Sequence, residues 1–207
     1  MRDAVDRLTP LGVIVLALLR EGDMHPYEML RLMRQRHHGR LVTITNGTVY
    51  HTVARLKKTG LVAEVGVDRE GNRPERTTYA LTDQGRAIVS DWVRRELVRI
   101  DRPAEFRVAL AEAHNLDRLE VAGLLRRRQE ALIETRRLYQ DGRRKAQSHD
   151  TPEQFLIQVE REEVLLEAEL RWLDSFIDRL TRHALPWGAA EIPESHRYHA
   201  PREAARS

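Results

Sequence analysis

At Gly60 the sequence abandons helical spacing, and at Thr82 it resumes it. Between these points Leu61–Val67 and Arg76–Leu81 read as strands, the second with Thr77, Tyr79 and Leu81 on one face. The polar stretch Asp68–Pro74, with Gly71-Asn72 inside it, reads as the connecting loop. A single hairpin set between helices cannot make a sheet-based domain. The core has to come from the helices, and the hairpin has to lie against them.

The flanking helices can be placed from their caps and periods. Thr9-Pro10 opens the first: threonine can cap, and proline at the first helical position loses no hydrogen bond. Leu11–Leu19 is apolar nearly all round, which predicts burial. A second helix is expected from His25-Pro26 to about His37. Tyr27, Leu30 and Met33 or Arg34 sit on its inner face, and Gly39 is placed to end it in a left-handed conformation. Leu41–Ile44 is short and β-branched, an expected edge strand. Asn46 is then the expected cap of a third helix, with Val49, Val53 and Leu56 facing inward and Thr48, His51, Thr52 and Arg55 outward. Lys57 and Lys58 fall in its last turn, and Gly60 closes it. Thr82 caps a long helix to about Ile100, stopped by Pro103. The order helix, helix, short strand, helix, strand, loop, strand, helix predicts a mainly α fold with a small β-hairpin, a winged helix-turn-helix.

Beyond that point the sequence predicts only helix. Asn115 is an expected cap for a helix carrying Val121, Leu125, Arg128, Leu132, Thr135 and Tyr139, a face interrupted by Arg128 and Thr135. Asp141-Gly142 and Ser148–Thr151 read as loop, and Thr151-Pro152-Glu153-Gln154 as a capping box. Leu156, Val159, Glu163, Leu166, Leu170, Leu173, Ile177 and Leu180 then alternate spacings of 3 and 4, a heptad seam. Leu165, Trp172 and Phe176 form a second stripe beside it. A single chain could bury the seam against its own middle helix; two stripes on one helix call for more than one partner, so both packing within the chain and a coiled-coil region pairing two chains are expected. Ala184–Ser207, rich in Pro, Ala, His and charge, reads as a flexible tail. The expected domains are 1–86 (winged helix), 87–114 (linking helix and connection), 115–183 (helical dimerisation domain) and 184–207 (tail).

The net charge of +3 decides little, but its distribution is informative. Residues 1–90 hold 14 Lys/Arg against 10 Asp/Glu, while 91–207 hold 21 against 22. Within 24–60 the count is 7 to 1, with Glu28 the lone acid. A basic window of this kind suits a polyanion, because neutralised phosphates release condensed counterions. On charge alone an ordinary solvated helix face is the favoured reading.

Several motifs in order carry a resemblance. They are Gly12–Leu19, His25-Pro26-Tyr27-Glu28, Asn46-Gly47-Thr48-Val49-Tyr50, Arg55-Leu56, Thr59-Gly60-Leu61-Val62 and Tyr79-Ala80-Leu81-Thr82-Asp83-Gln84-Gly85-Arg86. Together they resemble the PadR family of transcriptional regulators over residues 8–86. Pro26 departs from the glycine more usual in the family. The C-terminal helices are similar to those of longer PadR-like proteins in arrangement only. The resemblance implies a homodimer that represses transcription by binding double-stranded DNA and is often relieved by a small molecule.

The expected interface follows. The start of the third helix offers free N–H groups and a positive dipole end, and Gly47 allows close backbone approach. Asn46, Gly47, Thr48, Tyr50, His51 and Arg55 are the expected recognition-helix residues. Arg69, Arg73 and Arg76 are those of the wing, able to reach phosphates or a minor groove. Tyr27, by its spacing, is expected in the core. Leu156, Val159, Leu166, Leu170, Leu173, Ile177 and Leu180 are expected to pair chains. Trp92 is the candidate for lining an effector pocket.

Other classes fit badly. The chain has no cysteine, Gly-rich phosphate loop or HExxH pattern, so no enzyme and no cofactor is expected. His196-x-x-His199 lies in the expected tail and reads as incidental. No apolar run follows Met1-Arg2-Asp3, and Leu11–Leu19 is too short to span a membrane, so a soluble cytoplasmic protein is expected. The rival reading is a winged-helix adaptor that binds protein rather than DNA.

Overall fold

The computed structural model describes residues 5–68, 76–188 and 191. The elements run α1 (Pro10–Leu18), α2 (Pro26–Gln35), α3 (Asn46–Lys58), β1 (Val62–Asp68), β2 (Arg76–Leu81), α4 (Asp83–Val98), α5 (Pro103–Ala111), α6 (Arg118–Ser148) and α7 (Ile157–Thr181). β1 and β2 pair antiparallel, with a bulge between Glu64 and Gly66. The fold is a winged helix-turn-helix followed by a helical region.

α1 is the centre of the first domain. Thr9 Oγ1 accepts from the Gly12 N–H at 3.2 Å, and Gly12–Leu18 are all buried. Met29, Leu30, Leu32 and Met33 of α2, Val49, Val53 and Leu56 of α3, and Ile88, Val89 and Trp92 of α4 close around it. Gly60, at φ 73°, ends α3 as expected.

Three local expectations fail here. Leu41–Ile44 forms no strand: the Leu41 and Val42 amides bond back to the His38 carbonyl, and the side chains pack half-buried on the core. The hairpin's third partner is Met24, which exchanges two 3.0 Å backbone bonds with Tyr79. The left-handed residue after α2 is His37 (φ 56°), not Gly39, which lies in a 3-10 turn over His38–Arg40. Tyr27 is 46% exposed rather than core, because the chain enters α2 with Pro26 and Glu28 turned inward.

The C-terminal region departs further. Pro103 begins a helix instead of merely stopping one, since its missing N–H costs nothing at the first position. The cap of α6 is Asp117, whose Oδ1 accepts from the Leu119 and Glu120 amides at 2.9 and 3.0 Å. Asn115 instead donates to Glu112. Asp141-Gly142 lies within α6, where one glycine's cost of about 1 kcal/mol is outweighed by packing along α7. The capping box at Thr151 does not form. A 3-10 turn over Glu153–Phe155 precedes α7, and Leu156 makes no side-chain cap.

The heptad seam is closed within the chain. Leu166, Leu170, Leu173, Ile177 and Leu180 are buried against α6 and its neighbours, while Leu156 and Val159 are half-buried. Arg128, the apparent flaw in α6, is a junction. Its guanidinium lies 3.6 Å over the Phe106 ring of α5, bonds Glu169 of α7 at 2.8 Å through Nε, and donates to the Arg99 carbonyl after α4. The expected loose tail begins anchored: the Trp187 indole donates to the Leu116 carbonyl at 2.9 Å, and Glu191 pairs with Arg118. His196 and His199 lie outside the described residues.

Candidate nucleic-acid interface

The start of α3 is exposed and built on its preceding residue. Thr45, not Asn46, is the cap: its Oγ1 accepts from the Thr48 N–H at 3.1 Å. In return the Thr45 N–H donates to Thr48 Oγ1 at 2.9 Å, and that hydroxyl can donate to the Thr45 carbonyl at 3.0 Å. Thr48 is thus spent on the helix start, although exposed. Asn46 becomes the first helical residue. Its Oδ1 accepts from Arg34 Nη2 at 3.2 Å, which leaves the amide N–H₂ turned to donate elsewhere. Thr52, expected outside, is 7% exposed.

Gly47, Tyr50, His51 and Ala54 form the exposed line of α3. Tyr50 is 46% exposed, and the His25 ring meets it edge-on at 6.3 Å. A cleft of about 360 Å³ runs between this line, Pro26 and Tyr79 of the hairpin. Arg55 lies on the surface but is held: its Nη2 donates to Thr9 Oγ1, the α1 cap, at 2.8 Å. The basic window is partly neutralised from within. Arg36 makes a two-pronged pair with Glu21 at 2.5 and 2.8 Å, and Lys57 pairs with Glu64 at 2.6 Å, which holds its ammonium above the usual lysine range. Arg69 and Arg73 lie outside the described residues, and of Arg76 only the backbone, in β2, is described.

Sequence reasoning left Arg34 as an alternative to Met33 on the inner face of α2 and put Tyr27 in the core, whereas both are exposed. Arg34 was counted in the basic window, but its place beside Asn46, twelve residues on, follows from α2 packing on α3.

Trp92 lines none of the described cavities. It is 1% exposed, inside the core. A cavity of about 890 Å³ lies instead on the other side of α4, between it and α6. Val98, Leu119 and Leu124 line it, and Arg94, Arg95, Arg99 and Arg127 stand with Asp6, Asp91 and Glu120 around it. Most of these charges are mutually paired, as in Arg94 with Glu120 at 2.6 Å and Arg95 with Asp6 at 2.5 Å.

Residues 15–91 match the transcriptional regulator PadR-like family. The amino-terminal domain is thus similar to the PadR-like family. The family is one of transcription regulators, not enzymes. Solved structures similar to the chain include Bacillus subtilis PadR in complex with operator DNA, with 19% identity, covering 82% of this chain and 98% of that one at a TM-score of 0.38. They also include smu.1604c from Streptococcus mutans (18%, 79% and 96%, TM-score 0.38) and Bacillus subtilis PadR in complex with p-coumaric acid (18%, 84% and 99%, TM-score 0.36). Among curated proteins no sequence relative matches. No helix among the described residues is long and apolar enough to cross a membrane, and no described cluster of His, Asp or Glu could hold a metal ion. The matched residues extend into α4, a wall of this cavity, so the cavity and α3 share one packed unit.

Proposed function

We propose that the chain is a homodimeric, sequence-specific repressor that binds duplex DNA through the start of α3 and the wing. The observation that carries this reading is the exposed line Gly47, Tyr50, His51 and Ala54 on a capped helix within a PadR-like domain. Asn46 and His51 are the base-reading candidates, and Arg34 and Tyr50 the phosphate-reaching ones. Arg69, Arg73 and Arg76 keep their wing role as part of the proposal. An electrophoretic shift assay tests it. Changing Gly47, Tyr50 and Arg73 together is expected to abolish binding, and retention of full binding overturns the surface. Affinity is expected to fall steeply with salt, whereas an adaptor pairing apolar helices would be nearly insensitive to it.

The residues divide into two kinds of effect. Removing Arg73 or Arg76 is expected to weaken all duplexes alike. His51→Ala is expected to relax sequence preference, at about 1–3 kcal/mol if one base contact is lost. Thr48→Val is expected to cost about 1 kcal/mol of stability by opening the cap, with sequence preference unchanged.

For the dimer, the seam residues Leu166, Leu170, Leu173, Ile177 and Leu180 are already engaged within the chain. The pairing face is the adjoining stripe of α7, where Ile157, Val164, Leu165 and Trp172 are 62, 59, 46 and 39% exposed. Sedimentation of Leu165→Glu/Trp172→Glu is expected to show a monomer where the unaltered chain is a dimer. The cavity between α4 and α6 is the proposed seat of a relieving small molecule, in place of the Trp92 surroundings.

A further inference from the structure

Burial in the carboxy-terminal hairpin is confined to its base. It stops at Leu132 in α6 and starts again only at Leu166 in α7, so residues 133–165 form a two-helix arm without a buried residue. α6 has 31 residues and spans about 46 Å at the ordinary helical rise. A swing of about 5° at its base therefore displaces its far end by about 4 Å. The pairing face proposed above lies along this lever, at Ile157, Val164, Leu165 and Trp172.

The chain that leaves α7 comes back to the base of the arm. It reverses at His183, φ 56°, and the Ala184 N–H donates to the Arg179 carbonyl at 2.9 Å. Leu185 then packs half-buried on the core. The Trp187 indole N–H donates to the Leu116 carbonyl at 2.9 Å, and the Trp187 backbone N–H to Glu191 Oε2 at 2.9 Å. Arg118 Nη2 donates to both Glu191 oxygens, to Oε1 at 2.6 Å. The Arg118 side chain is 7% exposed, and Glu191 is its one charged partner among the described residues. Leu116 follows the turn after α5 and lies in one core with Phe106, Val108 and Ala109 of that helix. The strap of residues 182–188 with Glu191 thus runs from the end of one arm helix to the root of the other. On its far side Trp187 meets the Phe176 ring at 6.4 Å, and Phe176 stacks on Trp172 at 5.1 Å, so the strap also backs the pairing face.

We propose that this strap is a brace, which fixes the angle of the α6–α7 arm on the winged helix and, through the arm, the separation of the two α3 helices in a paired molecule. The second half rests on the function proposed above. The physical reason is that a helix pair held at one point can rock about it. Arg128 ties the arm at Glu169, midway along α7, and the strap ties the end of α7, so hinging about either tie is stopped by the other. The closed strap is favoured because its release would leave the buried Arg118 charge unpaired.

The brace is tested without DNA. The chain has no cysteine, so Gln35→Cys on α2 and Gln147→Cys at the far end of α6, both exposed, place one spin label on each side of the base. Dilution with unlabelled chain isolates the distance within one chain, read by electron paramagnetic resonance. One narrow distance is expected with the strap intact. Glu191→Gln with Trp187→Phe removes the charge and the indole donor but keeps a ring on Phe176. It is expected to broaden the distance by about 4 Å, the displacement of the swing given above. An unchanged width overturns the brace. If the double variant does not fold, an unchanged width in Trp187→Phe does so. On DNA the unaltered chain is expected to prefer one spacing of half-sites, and the double variant to bind spacings one base pair apart alike. Broadening without that loss of preference overturns the link to α3 separation and leaves the brace of the arm standing. An unchanged width in a chain that binds DNA overturns the brace and leaves the regulator reading standing.

Discussion

Replacing Gly85 with alanine is expected to cost the fold about 3 kcal/mol, near the top of the range for overpacking. At this chain length that is roughly 6–12 °C in Tm. A Cβ at position 85 would stand 2.2 Å from the Leu61 carbonyl oxygen and 2.8 Å from Leu81 Cδ1. The carbonyl cannot retreat, because it accepts the Thr82 N–H at 3.3 Å and lies 3.0 Å from the Thr82 hydroxyl. The same hydroxyl accepts from the Gly85 N–H at 3.0 Å, so the first turn of α4, the end of β2 and the start of β1 form one knot. Forcing it apart moves the root of the wing. DNA binding is expected to fall in Gly85→Ala even below the unfolding temperature. Urea unfolding is the direct measurement, and a loss of under 1 kcal/mol would show that the knot yields cheaply.

Arg128→Ala is expected to cost about 3–5 kcal/mol, the usual cost of breaking a buried ion pair from one side. The Arg128 side chain is 3% exposed and serves three elements at once: Glu169 of α7, the Phe106 ring of α5 and the carbonyl that follows α4. Arg128→Met is expected to lose less, about 1–2 kcal/mol, since its stem still covers Phe106 and Glu169, 31% exposed, can turn to water. Equal losses in the two variants, measured by denaturant unfolding, would mean that the guanidinium rather than the packing of the stem holds the junction.

The winged helix was legible because its signals are local. Thr9-Pro10, Gly60 and Thr82 act within one turn of themselves, and Val49, Val53 and Leu56 repeat at the helical period; all kept their expected roles. Where two neighbouring residues could each do a job, sequence chose wrongly. Thr45 took the cap assigned to Asn46, His37 the left-handed turn assigned to Gly39, and Asp117 the cap assigned to Asn115. The two capping pairs are close in propensity, and a small difference in context decides between them, whereas the left-handed turn falls on His37 against the propensity that favours Gly39. Tyr27 and Thr52 exchanged inside for outside because a helical period fixes which residues share a face, not where its edge falls once α2, α3 and the hairpin meet.

The longer-range contacts were not legible. No spacing rule pairs Arg34 with Asn46, Arg128 with Phe106 and Glu169, or Trp187 with Leu116. Each depends on which helix lies beside which. The sequence by itself determined the helices and the hairpin of the amino-terminal domain and their order, because hydrophobic period and capping chemistry act over three or four residues. Only the tertiary structure decided that the heptad stripe closes on α6 inside the chain and that Trp92 is core. It also decided that an arginine reading as a flaw is the junction of three helices. A stripe or a charge has no partner until the chain folds, and burial then settles which partner it takes.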